Sequence, residues 1–183
     1  MKAKLIILLT FIICSVSFAG TRTVEGKAEG KYYNDVWKRW SPQPISVYVD
    51  NNGDFYVAAG GSIINARGYM KSSQLKPLID ALKKGQEWAK KAKDSELEIT
   101  KELANFMSPR EHDETGVKLT FFASNKGAQT DIILFVKDFD NMFSKIDLYL
   151  DPAQVAALIA LLEKVPATYK ELKEQEAKAA TLN

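Results

Sequence analysis

Sliding the 183-residue chain against itself by 80 positions places Tyr69 on Tyr149, Gln74 on Gln154, Leu78 on Leu158, Ile79 on Ile159, Leu82 on Leu162 and Lys84 on Lys164. That is six identities over the nineteen positions 66–84, where ordinary composition gives about one by chance. Met70 over Leu150 and Leu75 over Val155 extend the match in kind. Upstream, both copies carry strand patterns. In the first, 45–49 alternates apolar and polar, Asn51-Asn52-Gly53 makes a hairpin turn, 55–59 returns, and 62–64 and 68–70 supply two shorter strands. In the second, strands at 117–123, 132–136 and 146–150 surround a turn at Ser124-Asn125-Lys126-Gly127.

A helix follows each set. The first starts near Ser72 or Ser73, with Pro77 in its first turn, and points Leu75, Leu78, Ile79, Leu82, Ala89 and Ala92 inward. The second opens at Asp151-Pro152-Ala153-Gln154, a carboxylate N-cap, a proline at the first helical position and a capping-box glutamine. Val155, Leu158, Ile159, Leu162, Val165, Tyr169 and Leu172 then keep core spacing, with a kink at Pro166 and a frayed polar tail from Glu174. Such a unit buries one sheet face under its helix and leaves the other for a partner, which the second copy can provide. The expected fold class is therefore α+β: a tandem repeat of a curved antiparallel β-sheet, three to four strands, each followed by a long α-helix, with units 45–107 and 117–183 related by a pseudo-twofold.

Between the units, 94–116 reads two ways. Ser95 and Glu98 are spaced as a capping box ahead of a helical stripe of Ile99, Leu103, Phe106 and Met107, while Leu97, Ile99 and Leu103 also suit a strand. Residues 109–116, including Glu111-His112-Asp113-Glu114, read as a charged loop.

The two copies and their helix start at Leu148-Tyr149-Leu150-Asp151-Pro152-Ala153-Gln154 resemble the Whirly and transcriptional-coactivator p15 type of single-stranded-DNA-binding fold. The resemblance covers 45–93 and 117–172 at the level of topology. It implies a sheet face that holds single strands through basic and aromatic side chains.

The first 19 residues have the parts of a signal peptide: Lys2 and Lys4, an apolar run over 5–13, and a small-residue exit at Ser17 and Ala19. Cleavage after Ala19 is expected, giving a periplasmic or secreted protein with no transmembrane segment after processing. Cys14 is the one cysteine, so the exported chain has no disulfide and depends on its core. Processing removes two of the 25 basic residues and leaves 23 against 23 acidic ones. That balance disfavours a general nucleic-acid footprint, which rests on surplus cations.

Residues 20–44 form a leader, first a glycine-spotted stretch that is flexible or a ragged strand. Tyr33, Val36, Trp37 and Trp40 then fall at i, i+3, i+4 and i+7 of a short helix ended by Pro42 and Pro44. With Lys31, Lys38 and Arg39 interleaved, Tyr33, Trp37, Lys38, Arg39 and Trp40 are the ligand-binding candidates, because aromatic and basic mixtures stack bases, hold sugars or take a partner's apolar groups. The same spacing also fits core packing.

Other candidates have plainer readings. His112 is the one histidine and lacks the companions of a zinc set. Asp50-Asn51-Asn52-Gly53-Asp54 begins like a calcium loop, but Phe55 and Gly61 stand where glycine and glutamate are required, so a hairpin turn explains it. Asp138, Asp140 and Asp147 alternate with Lys137 and Lys145 as a solvated strand edge. Lys76, Lys83 and Lys90 recur every seven residues with Lys84, Lys91 and Lys93 nearby, a solvated face and the one local basic stripe. Ala58-Ala59-Gly60-Gly61-Ser62 lacks phosphate-loop spacing and reads as a sheet bend. No catalytic set, metal site or cofactor motif emerges. The expectation is a non-catalytic exported protein that binds a small ligand or a protein, with single-stranded nucleic acid on the sheet face as the alternative.

Overall fold

The computed structural model describes residues 20–61, 65–110, 113–138 and 144–181. The signal segment 1–19, the strand expected at 62–64, His112 and Asp140 lie outside the described residues. The chain is α+β, with one large antiparallel sheet and helices packed on it.

The strands are β1 (Thr21–Thr23), β2 (Ala28–Asn34), β3 (Arg39–Asp50), β4 (Phe55–Gly60), β5 (Asn65–Met70), β6 (Ile99–Asn105), β7 (Ser108–Arg110), β8 (Asp113–Ser124), β9 (Gln129–Lys137) and β10 (Lys145–Leu150). Their spatial order is β5-β4-β3-β2-β10-β9-β8-β6, with β1 continuing the line of β2 along β3 and β7 paired to β8. Alternation fixes which side is core. Val47, Val49, Phe55, Val57, Leu119, Phe121, Leu134, Val136, Leu148 and Leu150 point inward and are almost fully buried. A fully buried side chain of this size contributes about 1.5–3 kcal/mol, so this face dominates the stability.

The sheet curls until β5 comes round to β8. A Cβ on Gly68 would collide with the Gly116 carbonyl, so the approach admits only glycine there, while Gly116 is held to glycine by its φ of +135° and by the Phe106 carbonyl. The Asp138 carboxylate, at the end of β9, accepts the Arg67 N–H of β5 at 3.2 Å across the same seam.

Helix α1 (Leu75–Asp94), reached through a 3-10 turn at Ser72–Gln74, packs on β6, β8 and β9. Helix α2 (Pro152–Leu162) packs on β2, β3, β9 and β10, and α3 (Val165–Ala180) packs on β1 and β3. The break between α2 and α3 falls at Glu163 and Lys164, just ahead of the kink expected at Pro166. Asp151 caps α2 as its sequence indicates, accepting from Ala153 N at 3.1 Å and Gln154 N at 3.0 Å while Gln154 Oε1 accepts the Asp151 N–H at 3.0 Å. The start of the first helix makes the same return bond, Lys71 N to Gln74 Oε1 at 2.8 Å, but its cap comes from a distance. Asp54, just past the hairpin turn, accepts the Ser72 N–H at 2.8 Å and also bonds the Tyr69 hydroxyl.

Five expectations are corrected. The short aromatic helix in the 20–44 leader is a β-hairpin: Tyr33 pairs with Trp40 and Asn34 with Arg39. The Asn34 carboxamide accepts the N–H groups of Val36 and Trp37 at 3.0 and 2.9 Å, and Lys38 takes φ +48°, which closes a turn instead of a helix. Pro42 and Pro44 sit within β3 rather than ending a helix; β4 pairs only with Ile45 to Val49, so the proline segment has one open side where missing donors are tolerated. The helical alternative for 94–116 gives way to β6, because α1 ends at Asp94, Glu96 takes φ +49°, and the edge of β8 offers a ladder. Consequently β6, expected within the 45–107 unit, pairs with a strand of the 117–183 unit. The charged loop at 109–116 is partly a hairpin, with Ser108 opposite Thr115 and Arg110 opposite Asp113. The tail expected to fray from Glu174 stays helical to Ala180, with Lys173 and Glu176 paired at 2.7 Å one turn apart.

Candidate functional site

The β2–β3 hairpin divides the five candidate residues into two groups. Trp37 and Lys38 occupy the turn; Trp37 is 68% exposed, and Arg39 stacks on its ring with the guanidinium carbon 5.8 Å from the centroid. Tyr33 and Trp40 face each other across the hairpin, with ring centroids 5.1 Å apart and planes tilted by 55°. Trp40 also meets Tyr149 of β10 edge to face, 4.9 Å away at 83°. The indole is thus braced by two tyrosines while half of its surface, 50%, stays open.

That open surface lines a groove of about 1280 Å³. Its lining joins Trp40, Tyr149 and Lys31 of the sheet, residues 127–131, and Lys83, Gln86, Lys90 and Lys93 of α1. The aromatic cluster and part of the lysine stripe, separate features of the sequence, therefore face one space. Lys76 does not take part; it pairs with Asp80 at 2.6 Å.

The charges of the groove nearly cancel. Lys31 pairs with Asp151 at 3.0 Å and Lys83 with Glu163 at 2.9 Å. Lys90, Lys93, Glu87 and the buried Asp131 share the lining, and the Asp131 carboxylate receives a 3.3 Å bond from the Gln129 carboxamide. Burial works to raise the Asp151 pKa, but the Gln154 N–H, Lys31 and the Ala153 N–H prevail and hold it below the usual carboxylate value. The Tyr149 hydroxyl is shifted upward, first by burial and then by Asp147, Asp131 and Asp35, so it remains a donor at neutral pH.

The remaining candidates stay apart. Asp50 closes its own turn, accepting Asn52 N at 2.8 Å and Asp54 N at 3.0 Å. Asp138 is engaged at the β5 seam, and Asp147 points outward from β10 opposite Phe135. Among the described residues no group of three or more metal-ligating side chains converges, and no helix is long and apolar enough to cross a membrane. Tyr149, Gln129, Asp131 and Gln86 escaped sequence reasoning as site residues. Tyr149 was visible as the repeat partner of Tyr69, but its contact with Trp40 depends on β2 pairing with β10, a junction with no local signal.

No family model and no curated protein matches the chain. A solved structure from work on mutations in SsgB that correlate to longitudinal cell division during sporulation of Streptomyces coelicolor is similar at 11% identity and a TM-score of 0.36, over 80% of this chain and 86% of that one. At that score the likeness carries no argument about fold or function.

Proposed function

We propose that the protein is a non-catalytic, exported binding protein whose ligand lies in the groove between Trp40 and α1. The observation that carries this is the convergence of a braced, half-exposed indole and the polar face of α1 on one large open space. Export is supported by the basic start, apolar run and small-residue exit of residues 1–19.

The scaffold of this reading is a pair of sheet-plus-helix repeats related by a pseudo-twofold. Strands β5 and β10 support it by sharing one burial pattern, each followed by a helix start at which a glutamine bonds back to the backbone three residues earlier. Lys83 and Glu163, 80 positions apart, pair between α1 and α2, as equivalent positions beside a twofold axis would.

Native mass spectrometry of the exported full chain tests the site. A bound mass lost in Trp40→Ala and kept in Trp37→Ala is the expected result, and a bound mass kept in Trp40→Ala removes the groove. A second reading, single-stranded nucleic acid, is favoured by Lys90 and Lys93 beside Trp40 and follows from the Whirly-type resemblance. Its mark is oligonucleotide binding that weakens steeply with added salt.

A further inference from the structure

We propose that the groove takes an extended, uncharged oligosaccharide; this rests on the binding reading above and names the ligand class for that site. Size comes first. At about 1280 Å³ the space exceeds the roughly 300–1,000 Å³ of a site for one compact ligand, and it is open, which suits a chain of linked units.

The platform fits as well. A pyranose presents a face of weakly positive C–H groups, which packs on the negative π face of an indole. Trp40 offers such a face, held in orientation by Tyr33 at 5.1 Å and Tyr149 at 4.9 Å. Around it stand groups suited to hydroxyls. Gln86 and Gln129 each offer an acceptor and one further donor beyond the N–H given to the Pro152 carbonyl at 3.4 Å and to Asp131 at 3.3 Å, the buried Asp131 offers acceptors, and a hydroxyl can answer either kind.

Charge separates this ligand from a polyanion. Binding a phosphate chain draws its strength from cations that have no carboxylate partners. In the groove Lys31 is engaged by Asp151 at 3.0 Å and Lys83 by Glu163 at 2.9 Å, while Lys90 and Lys93 share the space with Glu87 and Asp131. Four lysines meet three carboxylates along the lining, and a neutral polyhydroxylated chain can bond to ammonium and carboxylate alike.

The test is retention of the labelled full-length protein on immobilised neutral hexasaccharides of glucose and N-acetylglucosamine, in α and β linkages, beside acidic glycans and a deoxythymidine dodecamer. Retention on a neutral hexasaccharide is expected, unchanged between low and high salt. Trp40→Ala should weaken it about tenfold, as loss of a stacking platform would, and Trp37→Ala should leave it intact. Asp131→Asn should weaken it too; because Asp131 is buried, its melting curve is compared with wild type and Gln129→Ala serves as the exposed second variant. Retention on no neutral hexasaccharide, on acidic glycans alone, or undiminished in Trp40→Ala overturns the proposal. Binding of the thymidine dodecamer that Trp40→Ala abolishes also overturns the glycan class, yet leaves the groove standing as the binding site.

Discussion

Asp54 and Asp151 perform one task by two routes. Each carboxylate satisfies N–H groups at the start of a helix, Asp151 from the N-cap position itself and Asp54 from the turn between β3 and β4. Burial raises the pKa of Asp54, but the Tyr69 hydroxyl, the Ser72 N–H and Lys71 outweigh it and leave the group below its ordinary value of 3.8. Both folded-state pKa values are therefore lower than the unfolded ones. The stability they contribute is fully present above the ordinary carboxylate pKa and is lost as the pH falls through the lowered values. Asp151→Ala should cost about 1 kcal/mol in urea unfolding at neutral pH, the usual worth of such a cap, and the difference from wild type should shrink near pH 3. An equal gap at both pH values would mean that the aspartate acts through packing alone.

At the scale of elements, what was legible depended on whether the signal was local. The Asp50–Gly53 turn, the Ser124–Gly127 turn and the helix start at Asp151-Pro152-Ala153-Gln154 each carry their own chemistry, and each stands where the sequence puts it. The 33–40 segment misleads because Tyr33 and Trp40 are seven apart, a spacing that two helical turns and a four-residue hairpin turn both satisfy. Only the Asn34 side chain, bonding forward to Val36 and Trp37, separates the two, and that preference is weak before the strands pair. Likewise β6 is a strand because β8 is beside it; residues 99–105 are largely exposed, and the spacing of Ile99 and Leu103 suits helix and strand alike. The candidate site was legible only in part: Trp40 is marked, the α1 lysines read as a solvated face, and Tyr149, Asp131, Gln129 and Gln86 are brought beside Trp40 by long-range packing. The proposed repeat has a consequence at this scale. Gln74→Ala and Gln154→Ala remove equivalent backbone bonds of 2.8 and 3.0 Å, each worth roughly 0.5–1.5 kcal/mol, and should lower the melting temperature by similar amounts. A clear effect at one glutamine and none at the other would show that the two helix starts are held by different means.

Across the whole molecule the two halves are interleaved. Strand β2 from the leader pairs with β10, and β6, which precedes the second set of strands, pairs with β8. The groove depends on this interleaving, since its lining draws on β2, β3, β10 and α1. The tyrosines and indole beside the groove are half exposed, and α3 packs over β1 and β3.

The approach of β5 to β8 has a kinetic meaning. Most neighbours along the main sheet path are joined by ladders, β2 and β10 through the single pair Lys31 and Tyr149, whereas between β5 and β8 a glycine contact and the Asp138 bond to the Arg67 N–H span the join. A join without a ladder opens more readily than strands paired along their length, such as β3 and β9. In deuterium exchange, the amides of β5 should label ahead of those of β3 and β9, and Gly68→Ala, which forces the two backbones apart, should widen that lead. Protection of β5 equal to that of β9 would mean that the join is as tight as the woven strands.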